Sequence, residues 1–130
     1  MSFASDVAKY AKLAGASVDE TGRAIVLELF GSVIKDTPVD TGRARGNWQT
    51  SIGSPASGEV DRLGEREALS ELGSETGKFV GGQVIYLSNQ LPYIQRLELG
   101  WSDQAPAGMV RKNVARIQQI VAKAARDNKV

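Results

Sequence analysis

The stretch from Val84 to Val110, VIYLSNQLPYIQRLELGWSDQAPAGMV, restricts the possible folds of this chain more than any other. Over residues 83–89, Val84, Tyr86 and Ser88 alternate with Ile85 and Leu87, the two-residue period of a strand. Apolar residues on both faces favour a central strand over an edge. Asn89 and Gln90 close it, Pro92 suits the first turn of a short helical piece Tyr93–Leu99, and Gly100 stands where a C-cap would end that piece. A loop, Trp101–Gly108, then leads into a helix. Tyr86, Tyr93 and Trp101 bring three of the eight aromatic residues into sixteen positions. That density marks a packing hub, a contact surface, or both.

The rest of the chain supplies elements to pack against this stretch. Residues 3–13 carry Phe3, Val7, Tyr10 and Leu13 at helical spacing, a narrow stripe suited to an arm over residues 1–16. Residues 17–36 predict a long helix. Ser17 and Glu20 have capping-box spacing, and Ile25, Val26, Leu29, Phe30 and Val33 give a broad apolar stripe. Pro38 ends it. Asp40-Thr41-Gly42 is a turn signal, and Asn47–Ile52 alternates as a half-buried strand with Trp48, Thr50 and Ile52 on one face. Residues 54–82 hold six acids between Ser57 and Thr76. They read as a solvated surface excursion with a short helix around Leu63, Ala68, Leu69 and Leu72; the alternative is a loop that orders against a neighbouring subunit. From Met109 to about Asn128, Val110, Val114, Ile117, Val121 and Ala124 step by three and four, predicting one unbroken helix. Residues 1–130 therefore read as a single α+β domain. A small, mainly antiparallel sheet packs against a long helix in the N-terminal half and a long C-terminal helix.

Composition narrows the function. The chain has no histidine and no cysteine, which removes the commonest general base, the commonest zinc ligand, thiolate chemistry and disulfides. No nucleophile elbow or S-x-x-K setting is present, and Gly42-Arg43-Ala44-Arg45-Gly46 does not fit a phosphate-binding loop. The expectation is a protein that is not an enzyme and uses no cofactor or metal. With no run of 18 apolar residues and no signal-peptide pattern, it is also expected to be soluble and cytosolic, with no membrane partner.

Formal net charge is +1, so no global charge argues for nucleic acid. The local distribution is uneven. Arg111, Lys112, Arg116, Lys123, Arg126 and Lys129 make the last helix basic, while residues 57–76 are acidic. Two different patches of opposite sign make head-to-tail contacts, which close into rings or run on as filaments. Exposed pairs contribute only about 0–1 kcal/mol each, so charge sets register and apolar anchors supply affinity. Tyr93, Trp101 and Met109 are the anchors, with Gln104 and Pro106 beside them as further subunit-interface candidates. Arg43, Arg45, Arg116 and Lys123 either pair with acids or meet DNA phosphates.

Two blocks, TPVDTGRARGNW (Thr37–Trp48) and SNQLPYIQRLELGWSDQAPAGMV (Ser88–Val110), resemble the signature blocks of the HK97 gp10-like family. These are neck or tail-completion proteins of long-tailed bacteriophages, related in role to the minor tail protein Z group. Order and separation fit, and with the flanking helices the resemblance covers nearly the whole chain, the acidic excursion least. It implies a head-tail joining protein of the virion, assembled in the host cytoplasm. Six or twelve copies would form a ring between the tail tube protein and the head connector or head-closure protein, as a neck ring or tail terminator. Double-stranded DNA would pass through the lumen. The runner-up is a DNA-contacting accessory protein using the basic last helix.

Within the blocks, Pro38, Asp40 and Gly42, with Trp48, are expected to fix the handover from helix to strand. Asn89, Pro92 and Gly100 are expected to fix the second strand against the short helix. Glu98 either caps, or bridges to Arg43 or Arg45; an ordinary surface pair is the alternative. Trp101–Met109 either covers the subunit's own sheet or inserts into a neighbour. The neighbour is preferred, because a long loop carrying a Trp is costly to leave exposed.

Overall fold

Helix α1 (Val18–Asp36) is the spine against which everything else packs, and its sequence explains why it forms. Asp19 and Glu20 sit in the first turn and Lys35 in the last, both favourable to the helix dipole. Ile25, Val26, Val33 and Ile34 are buried, so two stripes serve two sides of the helix. A computed structural model describes residues 18–39 and 42–127 of the chain. The expected arm over residues 1–16, the Ser17 cap expected for α1, Asp40 and Lys129 lie outside the described residues.

The elements that follow are α2 (Arg43–Gly46), β1 (Gln49–Ile52), α3 (Arg66–Thr76), β2 (Ile85–Ser88), α4 (Ile94–Glu98), α5 (Val110–Val114) and α6 (Ile117–Asp127). The fold is α+β, with a two-stranded antiparallel sheet among the described residues. β1 pairs with β2 in the register Gln49–Ser88, Thr50–Leu87, Ser51–Tyr86 and Ile52–Ile85. On one side of α1, Val26, Val33 and Ile34 meet Trp48, Ala68, Leu72 and Met109, with Ile85, Leu87, Ile94 and Leu97 packed around them. On the other side, Ile25 meets Ile120, Val121 and Ala124 of α6. No helix among the described residues is long and apolar enough to cross a membrane.

Three expectations are corrected. First, β2 is not a central strand, since β1 is its only strand neighbour among the described residues. Its second apolar face exists because Ile85 and Leu87 pack on the core while Tyr86 alternates to the other side.

Second, residues 54–82 are not wholly a surface excursion. Residues 53–59 are mostly exposed, but α3 buries Ala68 and Leu72 against α1 and β1. Its acids remain compatible with burial because they pair close by. Glu71 meets Arg62 at 3.5 Å and Glu65 meets Arg45 at 3.1 Å.

Third, the C-terminal helix is broken at Ala115–Arg116. Asn113 is fully buried, and its side-chain amide donates to the Met109 carbonyl at 2.7 Å and to Asp36 at 2.9 Å. Its own carbonyl accepts the Arg116 N–H, a three-residue step that tightens the turn. Before the break Val110 and Val114 are exposed; after it Ile120, Val121 and Ala124 are buried.

Candidate interaction surface

The two sequence blocks are far apart in the chain and adjacent in space. In the first, Gly42 adopts a left-handed φ of 83°, and its carbonyl accepts the N–H groups of Gly46 and Gly64. A Cβ there would lie 2.6 Å from the Gly64 nitrogen, so glycine is required twice over. Pro38 is buried at the start of this crossing. The Thr37 hydroxyl donates to the Val33 carbonyl at 2.7 Å and accepts the Trp48 indole N–H at 2.8 Å, which locks the buried Trp48 to the end of α1. Arg62 reaches the carbonyls of Gly46 and Trp48 at 2.7 and 2.9 Å. Asn47 donates to the Arg43 carbonyl and accepts the Val60 N–H.

Two tethers join the second block to this frame. Asn89 donates to the Ala44 carbonyl at 2.9 Å and accepts the Leu91 N–H, turning the chain out of β2. Gln104 brackets the peptide of Val39, accepting its N–H at 2.8 Å and donating to its carbonyl at 3.0 Å. Pro92 lies exposed in the turn before α4. Gly100, at φ 89°, closes α4 where a Cβ would strike the Pro106 carbonyl.

Glu98 caps α5 from across the loop. Its carboxylate accepts the N–H groups of Met109, Val110 and Arg111 at 3.0, 2.8 and 2.9 Å, and the Arg111 side chain at 3.0 Å. Arg111 also reaches the Glu98 carbonyl oxygen. Partial burial pushes the carboxyl pKa up, but these donors outweigh it and hold it below the ordinary value. Of the roles considered for Glu98, capping is realised. The bridge to Arg43 or Arg45 is not: Arg43 meets Glu59 at 2.6 Å, and Arg45 meets Glu65 and the Thr37 carbonyl.

Between the tethers lies an open concavity of about 540 Å³, lined by Pro38, Ala44, Tyr93, Leu97, Trp101, Ser102 and Gln104. Trp101 stands at its rim, 72% exposed, with the Arg96 guanidinium 5.3 Å from its ring centroid. Leu99 is 65% exposed and Tyr93 also reaches solvent. Trp101 therefore does not cover the subunit's own sheet; it presents its apolar surface outward.

Of the interface candidates, Tyr93 and Trp101 belong to this surface. Gln104 lines it while holding Val39, and Pro106 is exposed on the far side of the loop. Met109 is corrected: at 0% exposure it is a core residue, packed with Val26, Val33 and Trp48.

The basic candidates are dispersed. Arg116 is drawn to Glu28, Ser32 and Asn113, while Lys123 is exposed on α6 near Glu28 and Asp127. Arg62, Asn47 and Asn113, which organise the frame, carry no signal in the sequence pattern, since each bonds at least one group that only folding brings close: the Gly46 and Trp48 carbonyls, the Val60 N–H and the Asp36 carboxylate. Comparison with protein-family models, curated proteins and solved structures found no match to this chain.

Proposed function

We propose that this chain is a structural protein of a long-tailed bacteriophage virion, of the neck or tail-completion type, with no catalytic role. Copies associate head to tail into a ring between the head connector and the tail tube, and the genome passes through the lumen. The observation that carries this reading is Trp101. A frame of glycine turns and side-chain tethers, built from the two blocks that carry the family resemblance, holds a large aromatic side chain in water. Exposed aromatic surface beside an apolar concavity is the usual anchor of a protein contact. In a head-to-tail ring this surface would be received by a second, different surface of the neighbouring copy. A DNA-contacting role draws less support, because Arg43, Arg45 and Arg116 are engaged by carboxylates of the same subunit.

The test is the native mass of the purified protein over a concentration series, alone and with purified tail tubes. Discrete six- or twelve-copy species are expected. Trp101→Ala should weaken the association about tenfold or more while leaving the far-UV circular dichroism unchanged. A protein that stays monomeric even with tail tubes, or a Trp101→Ala variant that assembles normally, would remove the proposal.

A further inference from the structure

Among the described residues, side chains engage part of the β1 edge of the sheet, and the β2 edge is open. On the β1 side, the Thr50 N–H donates to Glu71 at 3.0 Å, and the preceding Trp48 carbonyl accepts Arg62. With its N–H turned away from β2, Thr50 makes a non-hydrogen-bonded pair with Leu87. The Gly53 N–H, donated to the Val84 carbonyl at 2.9 Å, sets the same alternation and makes Ile52–Ile85 the next such pair. The N–H and C=O groups of Ile85 and Leu87 therefore point out of β2, away from β1. Among the described residues nothing donates to or accepts from these four groups.

Open edges are usually guarded by lysine, proline or a bulge. This one has no charged residue from Phe79 to Gln95, and no proline within the strand. Val84, 54% exposed, precedes Tyr86 on the same face.

We propose that β2 pairs edge to edge with β2 of a second copy, antiparallel about a two-fold axis at Tyr86, making a four-stranded sheet. Ile85 then lies opposite Leu87 of the second copy, and the four outward groups on each strand exchange four hydrogen bonds across the axis. Tyr86 faces its own counterpart in a non-hydrogen-bonded pair, the closer of the two cross-strand spacings and one favourable to aromatic pairs.

The register is fixed by its neighbours. A shift one way would require Gln83, whose N–H already donates to Val80 at 3.2 Å. A shift the other way would require Asn89, where the chain is already turning. A second copy is the occupant because the neutral strand meets itself without like-charge repulsion, which any charged strand would impose on its own duplicate. The contact closes at two copies, so it is separate from the head-to-tail contact proposed above and does not depend on it.

A four-residue edge makes a weak contact, so the test is one that captures transient pairs. The chain has no cysteine, so Tyr86→Cys introduces the only thiol, and its pairing distance across the axis, about 4.5 Å between Cα atoms, suits a disulfide. Val84→Cys is the control, because in this register its own thiols stand about 13 Å apart. Under mild oxidation Tyr86→Cys should give a linked dimer at least about ten times faster than Val84→Cys. In the unmodified protein, amide exchange at Ile85 and Leu87 should slow as concentration rises. Equal cross-linking rates, or exchange at these amides that ignores concentration, would overturn the pairing; the latter is expected if another part of the same chain covers the edge.

Discussion

At Glu98 one carboxylate gathers three backbone N–H groups of the α5 entrance and the Arg111 side chain, so a single residue holds the loop Trp101–Gly108 closed at its base. The same donors set a pH dependence. With the folded pKa held below the ordinary value of 4.5, the folded state binds fewer protons than the unfolded state near that pH. The stabilisation is complete above pH 4.5 and is lost as pH falls through the lower, folded value. Glu98→Gln should therefore cost about 1–2 kcal/mol at neutral pH, measured by chemical denaturation. That difference should shrink on acidification to about pH 3. A penalty unchanged with pH would mean the carboxylate charge does not matter there. Capping was legible in the sequence as one option for Glu98. Its partners were not, because local capping rules see about three residues ahead, and these N–H groups lie eleven to thirteen residues downstream.

Whether the sequence predicted an element correctly depended on whether its pattern recorded only its own faces or also what covers them. Helix α1 was legible because its apolar stripe is wide and its ends carry the right charges. Helix α3 was legible as a helix but misplaced: six acids suggested water, and the pairings of Arg45 and Arg62 with Glu65 and Glu71 exist only once the chain folds. If α3 is a core element, Leu72→Ala should lower stability by about 2–4 kcal/mol. Leu63→Ala, at a position 69% exposed, should stay within about 0.5 kcal/mol. Equal small effects in thermal melts would return residues 54–82 to the surface. The break at Ala115–Arg116 leaves no mark in the sequence pattern for a related reason. The spacing of Val110, Val114 and Ile117 is as good for one helix as for two, and the deciding residue is Asn113, a polar side chain at an unremarkable position. Likewise, apolar residues on both faces of β2 pointed to a central strand, whereas Ile85 and Leu87 face the core, Val84 is exposed on the other face, and β1 is the only strand paired with it among the described residues.

For the whole molecule, net charge conceals an arrangement in which some of the opposite charges are matched inside the subunit. Arg43 with Glu59, Lys112 with Asp36, Arg111 with Glu98 and Arg116 with Glu28 join segments distant in sequence. The contrast between an acidic middle and a basic last helix, which suggested electrostatic stacking of copies, is thus partly neutralised within one copy. The outward apolar groups include Trp101, Leu99 and Tyr93, on which the proposed ring contact rests. An association resting on that surface should respond to salt as burial of apolar area does, not as an ion pair does. Between about 0.05 and 0.5 M sodium chloride, the association constant from sedimentation should change by no more than about threefold, because screening removes only the exposed-charge contribution. Sulfate, which favours apolar burial, should strengthen it. A fall of tenfold or more with added chloride would mean charge carries the contact. If retention of duplex DNA fell in parallel and Lys123→Glu reduced it further, the phosphate-contacting role would be favoured over the ring.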